Sequence, residues 1–269
     1  MSAHTEQPRR TRSLRTTGRG LRGYYVLLLA LLYLPIGILF IFSFSANTSI
    51  SFPLRGFTLE WYQKVFADRS LLEAVWNSIL VAFASSTVAT ALGTALALLL
   101  VRYNFRGKQV LAALAVLPLI APAVVLAVAL LILFRAFDLS LSIVTIGVAH
   151  VVVSLPFTVL IVFARLVGFD PSLEDAAMDL GASYATTLRL IVLPIIAPAV
   201  LAAWLVAFTV SFDEVALSLF LAGRDATFPV YLAGHIRFTG NIPVLVAAAV
   251  LMTMGSLALV LIAERVRRR

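Results

Sequence analysis

Asp175–Pro194, DAAMDLGASYATTLRLIVLP, is the longest interruption in the second half of a very hydrophobic chain, apart from one outer loop. It opens on acidic residues, passes through Gly181 and runs into an apolar stretch that begins at Ile191. Just upstream, two groups offer helix-start chemistry. Ser172 with Asp175 three positions on reads as a capping box, and Asp170 followed by Pro171 reads as an N-cap with proline at the first helical position. Leu173, Ala176, Ala177 and Leu180 then fall at i, i+3, i+4 and i+7, one apolar stripe. Glu174, Asp175 and Asp179 lie off that stripe. Gly181 is placed to end the helix in a left-handed conformation, and Ser183–Leu188 suits a second short turn. A helix of this kind resting on lipid headgroups would favour Lys and Arg on its polar face. This one has an acidic flank, so it is shaped to dock on a protein.

The surroundings of this element follow from composition. Of 269 residues, 61% are hydrophobic and 13% charged, with mean hydropathy +1.02. Soluble domains carry about 45–50% apolar and about 25% charged residues. The apolar runs are continuous rather than alternating, which predicts an all-α polytopic membrane protein and not a β-barrel. Windows of about twenty residues place six transmembrane helices at about 24–44, 76–101, 110–134, 143–167, 191–221 and 244–263. The fifth is too long for a straight crossing and must tilt, kink or leave the bilayer. The predicted organisation is a basic tail at 1–23, one transmembrane domain at 24–264 that holds a loop at 168–190, and a basic tail at 265–269.

Orientation follows from Lys and Arg. Arg9, Arg10, Arg12, Arg15, Arg19 and Arg22 precede the first span; Arg102, Arg106 and Lys108 follow the second; Arg265, Arg267, Arg268 and Arg269 close the chain. The 45–75 loop instead balances bases with acids. Both ends, and with them the 168–190 loop, are therefore expected in the cytoplasm. The run Tyr24–Phe44 exceeds the apolar core of a cleaved leader, about 7–15 residues, so it is expected to remain as the first span. The net charge of +8 then sets orientation, and no nucleic-acid partner is expected. There are no cysteines, and the three histidines lack the spacing of a metal site.

Two further features bear on function. LPLIAPAV at Leu117–Val124 is echoed by LPIIAPAV at Leu193–Val200. Proline removes a helical N–H and crowds the preceding turn, so Pro118, Pro122, Pro194 and Pro198 are candidate kinks around a gate. Asp213 and Glu214 are adjacent acids within the fifth predicted span. Ionisable groups there cost a few kcal/mol and face a cavity or partner. Either the pair sits at the outer interface or one member lines a translocation route, since neighbours on a helix are about 100° apart. His150 reads as a hydrogen-bonded packing residue or a proton relay, and Pro156 as a bend. His235 and Arg237 lie in an outer loop, Ala222–Pro243, suited to docking.

Asp175-Ala176-Ala177, three residues, Gly181, nine residues, then Ile191-x-Leu193-Pro194 resembles the EAA signature of permease subunits in bacterial ABC importers, with Asp175 where that family usually has Glu. Phe57-Thr58-Leu59-Glu60-Trp61-Tyr62, Asn77-Ser78 and Ser211-Phe212-Asp213-Glu214-Val215 resemble the spermidine/putrescine-type branch. The resemblance implies a type I importer (MetI-like) transmembrane domain, N-in and C-in, in the bacterial inner membrane. It makes the loop a coupling helix, with Glu174, Asp175, Ala176, Ala177, Gly181, Ile191, Leu193 and Pro194 serving the ATPase. The implied partners are a second permease subunit, two cytoplasmic ATP-binding subunits, a periplasmic or extracellular substrate-binding protein and the lipid bilayer. The cargo would be a polyamine or another small amine-bearing solute. No cofactor is expected on this chain, which carries no catalytic site; ATP and Mg would be used by the partner ATPase, because no G-x-x-x-x-G-K-[ST] occurs here. A secondary transporter or channel acting without an ATPase would account for the spans and Asp213 but has no use for an acidic helix–glycine–helix element.

Overall fold

A segment in hydrocarbon must satisfy its backbone donors and acceptors internally, and continuous apolar runs do so as helices. The computed structural model describes residues 17–267 and follows that rule. Its helices are α1 Thr17–Ser43, α2 Glu60–Ala67, α3 Arg69–Arg102, α4 Lys108–Ile120, α5 Ala123–Ala136, α6 Ile143–Val167, α7 Ser172–Asp179, α8 Tyr184–Thr187, α9 Leu193–Phe212, α10 Ala216–Leu221, α11 Phe228–His235 and α12 Ile242–Arg267. Among the described residues the one strand-like pairing is a bridge between Ser45 and Phe57. Arg9, Arg10, Arg12 and Arg15, and Arg268 and Arg269 at the other end, lie outside the described residues.

Four stretches are long and apolar enough to cross a membrane: Leu21–Ser43, Arg69–Arg102, Ile143–Val167 and Tyr184–Phe212. A shorter apolar stretch occupies Ile242–Ala258. The expected third span at 110–134 is corrected. It is two helices, α4 and α5, bent by 112°. Ala121 adopts extended backbone (φ −71°, ψ 134°), the conformation a residue takes before proline, and Pro122 supplies no N–H to carry the helix across. The fifth span is corrected at its start, since the helical stretch begins at Tyr184; it stops at Phe212 and, after a break at Asp213–Val215, resumes as α10, which ends at Leu221.

The two proline echoes thus fold differently. Pro198 lies inside an uninterrupted α9, and the strain is taken up one turn earlier. Residues Leu188–Val192 form a π-helical turn, with the Leu193 N–H bonded to the Leu188 carbonyl. Pro194 has no N–H for the Leu190 carbonyl and its ring would crowd that oxygen, so a widened turn suits it. Tertiary packing decides between the outcomes. Helix α9 is held between α3 and α6, and Arg165 donates to the Ile195 carbonyl at 3.4 Å. Helix α4 has its main packing against α6.

Helix α3 is the axis of the bundle. Its 34 residues reach about 50 Å at 1.5 Å per residue, and it packs along both α6 and α9. The contact face is a seam of buried small residues, Ala82, Ser86, Ala89, Gly93 and Ala97, which lets helix backbones approach closely. Helix α1, in contrast, exposes Leu27, Leu31, Leu32 and Leu34, an apolar surface for lipid or another subunit.

At the N-terminal end of α3, helices α2, α11 and α12 close over a cluster that includes Trp61, Leu71, Phe228, Tyr231 and Leu245. The polar motif residues seen in the sequence act as pins there. Trp61 Nε1 donates to the Ser45 carbonyl at 2.7 Å, Tyr62 pairs with the Ser43 hydroxyl at 2.7 Å, and Asn77 Nδ2 donates to the Ala226 carbonyl at 3.1 Å. The Phe228 N–H donates to Ser78 Oγ at 2.8 Å. Asp68 caps α3 through the Leu71 N–H and accepts from the Tyr231 hydroxyl at 2.7 Å. Burial alone would raise the Asp68 carboxyl, but the hydrogen bonds from Tyr231, Leu71 and Ser70 outweigh it and hold it below its ordinary value. Burial and the neighbouring Asp68 carboxylate push the Tyr231 hydroxyl up to about 12.

Gly93 sits at a close approach of α3 to α6. A methyl group there would overlap the Thr158 hydroxyl, which is already committed to the Ala89 carbonyl at 2.9 Å. Gly93→Ala is expected to destabilise the purified protein in detergent by about 1–3 kcal/mol, read as a lower thermal midpoint. Gly147→Ala, with nothing within 4 Å of the added carbon, should leave the midpoint unchanged.

Candidate functional site

Helix α7 is built as the Asp170 alternative requires. Asp170 Oδ1 accepts the Ser172 N–H at 3.0 Å and Pro171 takes helical backbone at the first turn. The N–H and hydroxyl of Ser172 hold the Asp170 carboxyl below its ordinary value. The helix ends at Gly181, whose φ of +87° is left-handed. The Ala182 N–H bonds back to the Ala177 carbonyl at 3.0 Å and the Gly181 N–H to the Met178 carbonyl at 2.9 Å, the paired bonds of a Schellman motif. Ser183 then caps α8 through the Thr186 N–H at 3.3 Å. The helix–glycine–helix element is therefore present, and the π-helical turn joins it directly to α9.

Its faces differ from the sequence expectation. The side turned into the protein carries Ala177 and Glu174, the latter only 7% exposed. Glu174 pairs with Arg102, the last residue of α3, and the Arg102 guanidinium lies over the Phe169 ring at 5.3 Å. Leu173, Asp175, Ala176, Met178, Asp179 and Leu180 face outward, Leu180 at 90% exposure. The apolar stripe is thus split, and most of it is presented to whatever lies beyond. Ile191 is half-buried, while Leu193 and Pro194 are exposed where α9 begins.

The second constellation is the break between α9 and α10. Glu214 Oε1 accepts the Leu217 N–H at 3.1 Å and so caps α10. Asp213 is exposed. Behind the break, His150 on α6 joins both flanking helices: Nδ1 pairs with Ser211 Oγ at 2.7 Å and Nε2 with Ser218 Oγ at 3.1 Å. Ser85 on α3 meets Ser211 at 2.9 Å. This geometry matches the packing reading of His150. Along α9, Trp204, Phe208 and Phe212 form a ladder with ring centroids 5.4 and 5.9 Å apart, and Phe83 packs edge-on to Trp204. The Trp204 indole is fixed by a 3.0 Å bond to the Thr87 hydroxyl. In the Ala222–Pro243 loop, His235 stacks on Tyr231, while Arg237 is exposed.

Sequence reading missed three of these relations. It counted Arg102 only as a loop charge, and nothing local announces a partner 72 residues away. The serines at 85, 211 and 218, polar groups inside apolar helices, were a usable signal. So was the i, i+4, i+8 spacing of the aromatic ladder.

The family description "Binding-protein-dependent transport system inner membrane component" matches residues 89–269. The chain belongs to this family. The permease is 38% identical over 241 residues to the spermidine/putrescine transport system permease protein PotC of Haemophilus influenzae, covering 89% of this chain and 93% of that one. It is 34% identical over 237 residues to the putrescine transport system permease protein PotI of Escherichia coli, covering 85% and 83%. Its fold matches a bacterial ABC transporter involved in the import of alginate, with TM-score 0.74, 16% identity and coverage of 95% and 98%. The protein is a multi-pass inner-membrane permease subunit of an ABC importer, with the all-helical importer fold.

A side chain at Gly181 would meet open space, so only its backbone is at stake. Left-handed backbone costs an ordinary L-residue about 1–2 kcal/mol, whereas Asn tolerates it. Gly181→Val is expected to speed hydrogen exchange at the Ala182 amide about tenfold; Gly181→Asn should leave it close to wild type.

Proposed function

We propose that this permease forms half of the path by which a polyamine, or a similar small amine-bearing cation, enters the cell. The observation that carries the cargo reading is Asp213, exposed in the α9–α10 break at the end of the Trp204–Phe208–Phe212 ladder. A carboxylate beside aromatic faces attracts organic ammonium groups, and Glu214 is already engaged in capping α10. The names of the PotC and PotI relatives support the same cargo.

In this reading both chain ends and α7 lie in the cytoplasm, as the Lys and Arg distribution favours. The exposed face of α7, with Asp175, Ala176 and Leu180, docks on a cytoplasmic ATPase subunit that uses ATP and Mg²⁺. Gly181, Ile191, Leu193 and Pro194 carry its movement into α9. The bend at Pro118 and Pro122, and the turn before Pro194 and Pro198, are the places where the helices change shape between inward- and outward-facing states. A second, paralogous permease supplies the other half of the path, two ATPase subunits drive it, and a periplasmic binding protein delivers the cargo.

The test is uptake of labelled putrescine and spermidine by the assembled importer. Asp213→Asn is expected to lower uptake about tenfold, the cost of losing one charged contact. Equal uptake by Asp213→Asn and wild type would remove Asp213 from the path. Failure of the wild type to take up either compound, with its binding protein present, would remove the polyamine reading.

A further inference from the structure

We propose that the Arg102–Glu174 ion pair passes displacement of α7 to α3, making Glu174 a positioning residue of the coupling element and not part of its docking face. The inference rests on the reading of α7 as the ATPase-coupling helix.

Three observations support it. First, the acids of α7 are sorted by direction: Asp175 and Asp179 are exposed, while Glu174 is buried against the permease's own body. A carboxylate held inside cannot meet a partner protein without leaving Arg102 unpaired in a half-buried site. Second, the joint is stiff. Arg102 is held by the Glu174 carboxylate and by the face of Phe169. Phe169 is itself buried in a cluster with Ala97, Val162, Leu166 and Val192. Guanidinium is planar and weakly hydrated, and suits such a sandwich better than an ammonium. Third, the covalent joins of α7 run to other helices. The chain leads from α6 through Gly168–Pro171 and onward to α8 and α9 through left-handed Gly181. Helix α3 has no covalent join to α7. Among the described residues there is one other ion pair, Lys64–Glu60, exposed and within a single helix. Arg102–Glu174 is therefore the charged tie that spans separate elements here, and it grips the end of the helix along which α6 and α9 pack.

The chain has no cysteine, so a single introduced cysteine is labelled uniquely with an environment-sensitive fluorophore when this chain is labelled before assembly with its partners. One reporter goes on α7 (Met178→Cys) and one on the far end of α3 (Glu73→Cys), both exposed positions. Each is placed in the full importer in nanodiscs and read on addition of a non-hydrolysable ATP analogue. With the native pair, both reporters should respond. With Glu174→Gln or Arg102→Gln, the α7 response should persist while the α3 response falls at least about fivefold, and the exchange Arg102→Glu with Glu174→Arg should restore it to within about twofold. Arg102→Lys should lie between.

An unchanged α3 response in Glu174→Gln overturns the proposal, as does an exchanged pair no better than the single variants. Loss of the α7 response in Glu174→Gln also overturns it, because the pair would then merely hold α7 in place. If the α7 reporter is silent with the native pair, the coupling-helix reading itself has failed.

Discussion

The close contact of α3 with α6 and α9 is the constraint on which the rest of the molecule depends. In a bilayer, lipid tails are as apolar as the helix surfaces, so no hydrophobic gain draws helices together. What remains is dense packing and a few polar bonds. The seam from Ala82 to Ala97 supplies the first, and Gly93 lets Thr158 bond across to the Ala89 carbonyl. The chain of Ser85, Ser211, His150 and Ser218 supplies the second. Interhelical hydrogen bonds in membranes average about 0.6 kcal/mol each, so their value here lies in fixing one alignment of helices.

From that rigid axis the irregular parts acquire meaning. The backbone is irregular where prolines or acids interrupt an apolar run: at Ala121-Pro122, at the π-helical turn before Pro194, and at Asp213–Val215. Each lies in or next to an element that packs on α6. The break at Asp213 is backed by His150, which bonds the helix ends on both sides. Glu214 accepts the Leu217 N–H in the first turn of α10. Residues with the look of a charged site in sequence are thereby divided, one carboxylate to structure and one left exposed.

Much of this was legible in the sequence. Hydropathy and length placed α6 at its observed bounds, and the Asp170–Gly181 signals gave α7 because caps and glycine terminators are local chemistry. The broken third span was less legible. Two octapeptides that are nearly identical at Leu117–Val124 and Leu193–Val200 fold differently, so the sequence window does not hold the answer; α9 is straightened by α3 and α6, and α4 is not. The direction of Glu174 was hidden for the same reason. A stripe analysis assumes that apolar residues turn inward, and here a long-range arginine turns a carboxylate inward and leaves Leu180 outside. Local patterns fixed the elements, while their faces were chosen by residues far along the chain.

In the proposed function, the acidic, glycine-ended loop at Asp175–Pro194 is where an external motor takes hold of this permease. The most direct measurement places a photo-reactive amino acid at Leu180, the highly exposed residue that caps the C-terminus of α7, in the importer within native membranes. A cross-linked product with the cytoplasmic ATP-binding subunit is expected. Cross-linking to lipid alone, or to the periplasmic binding protein, would contradict it.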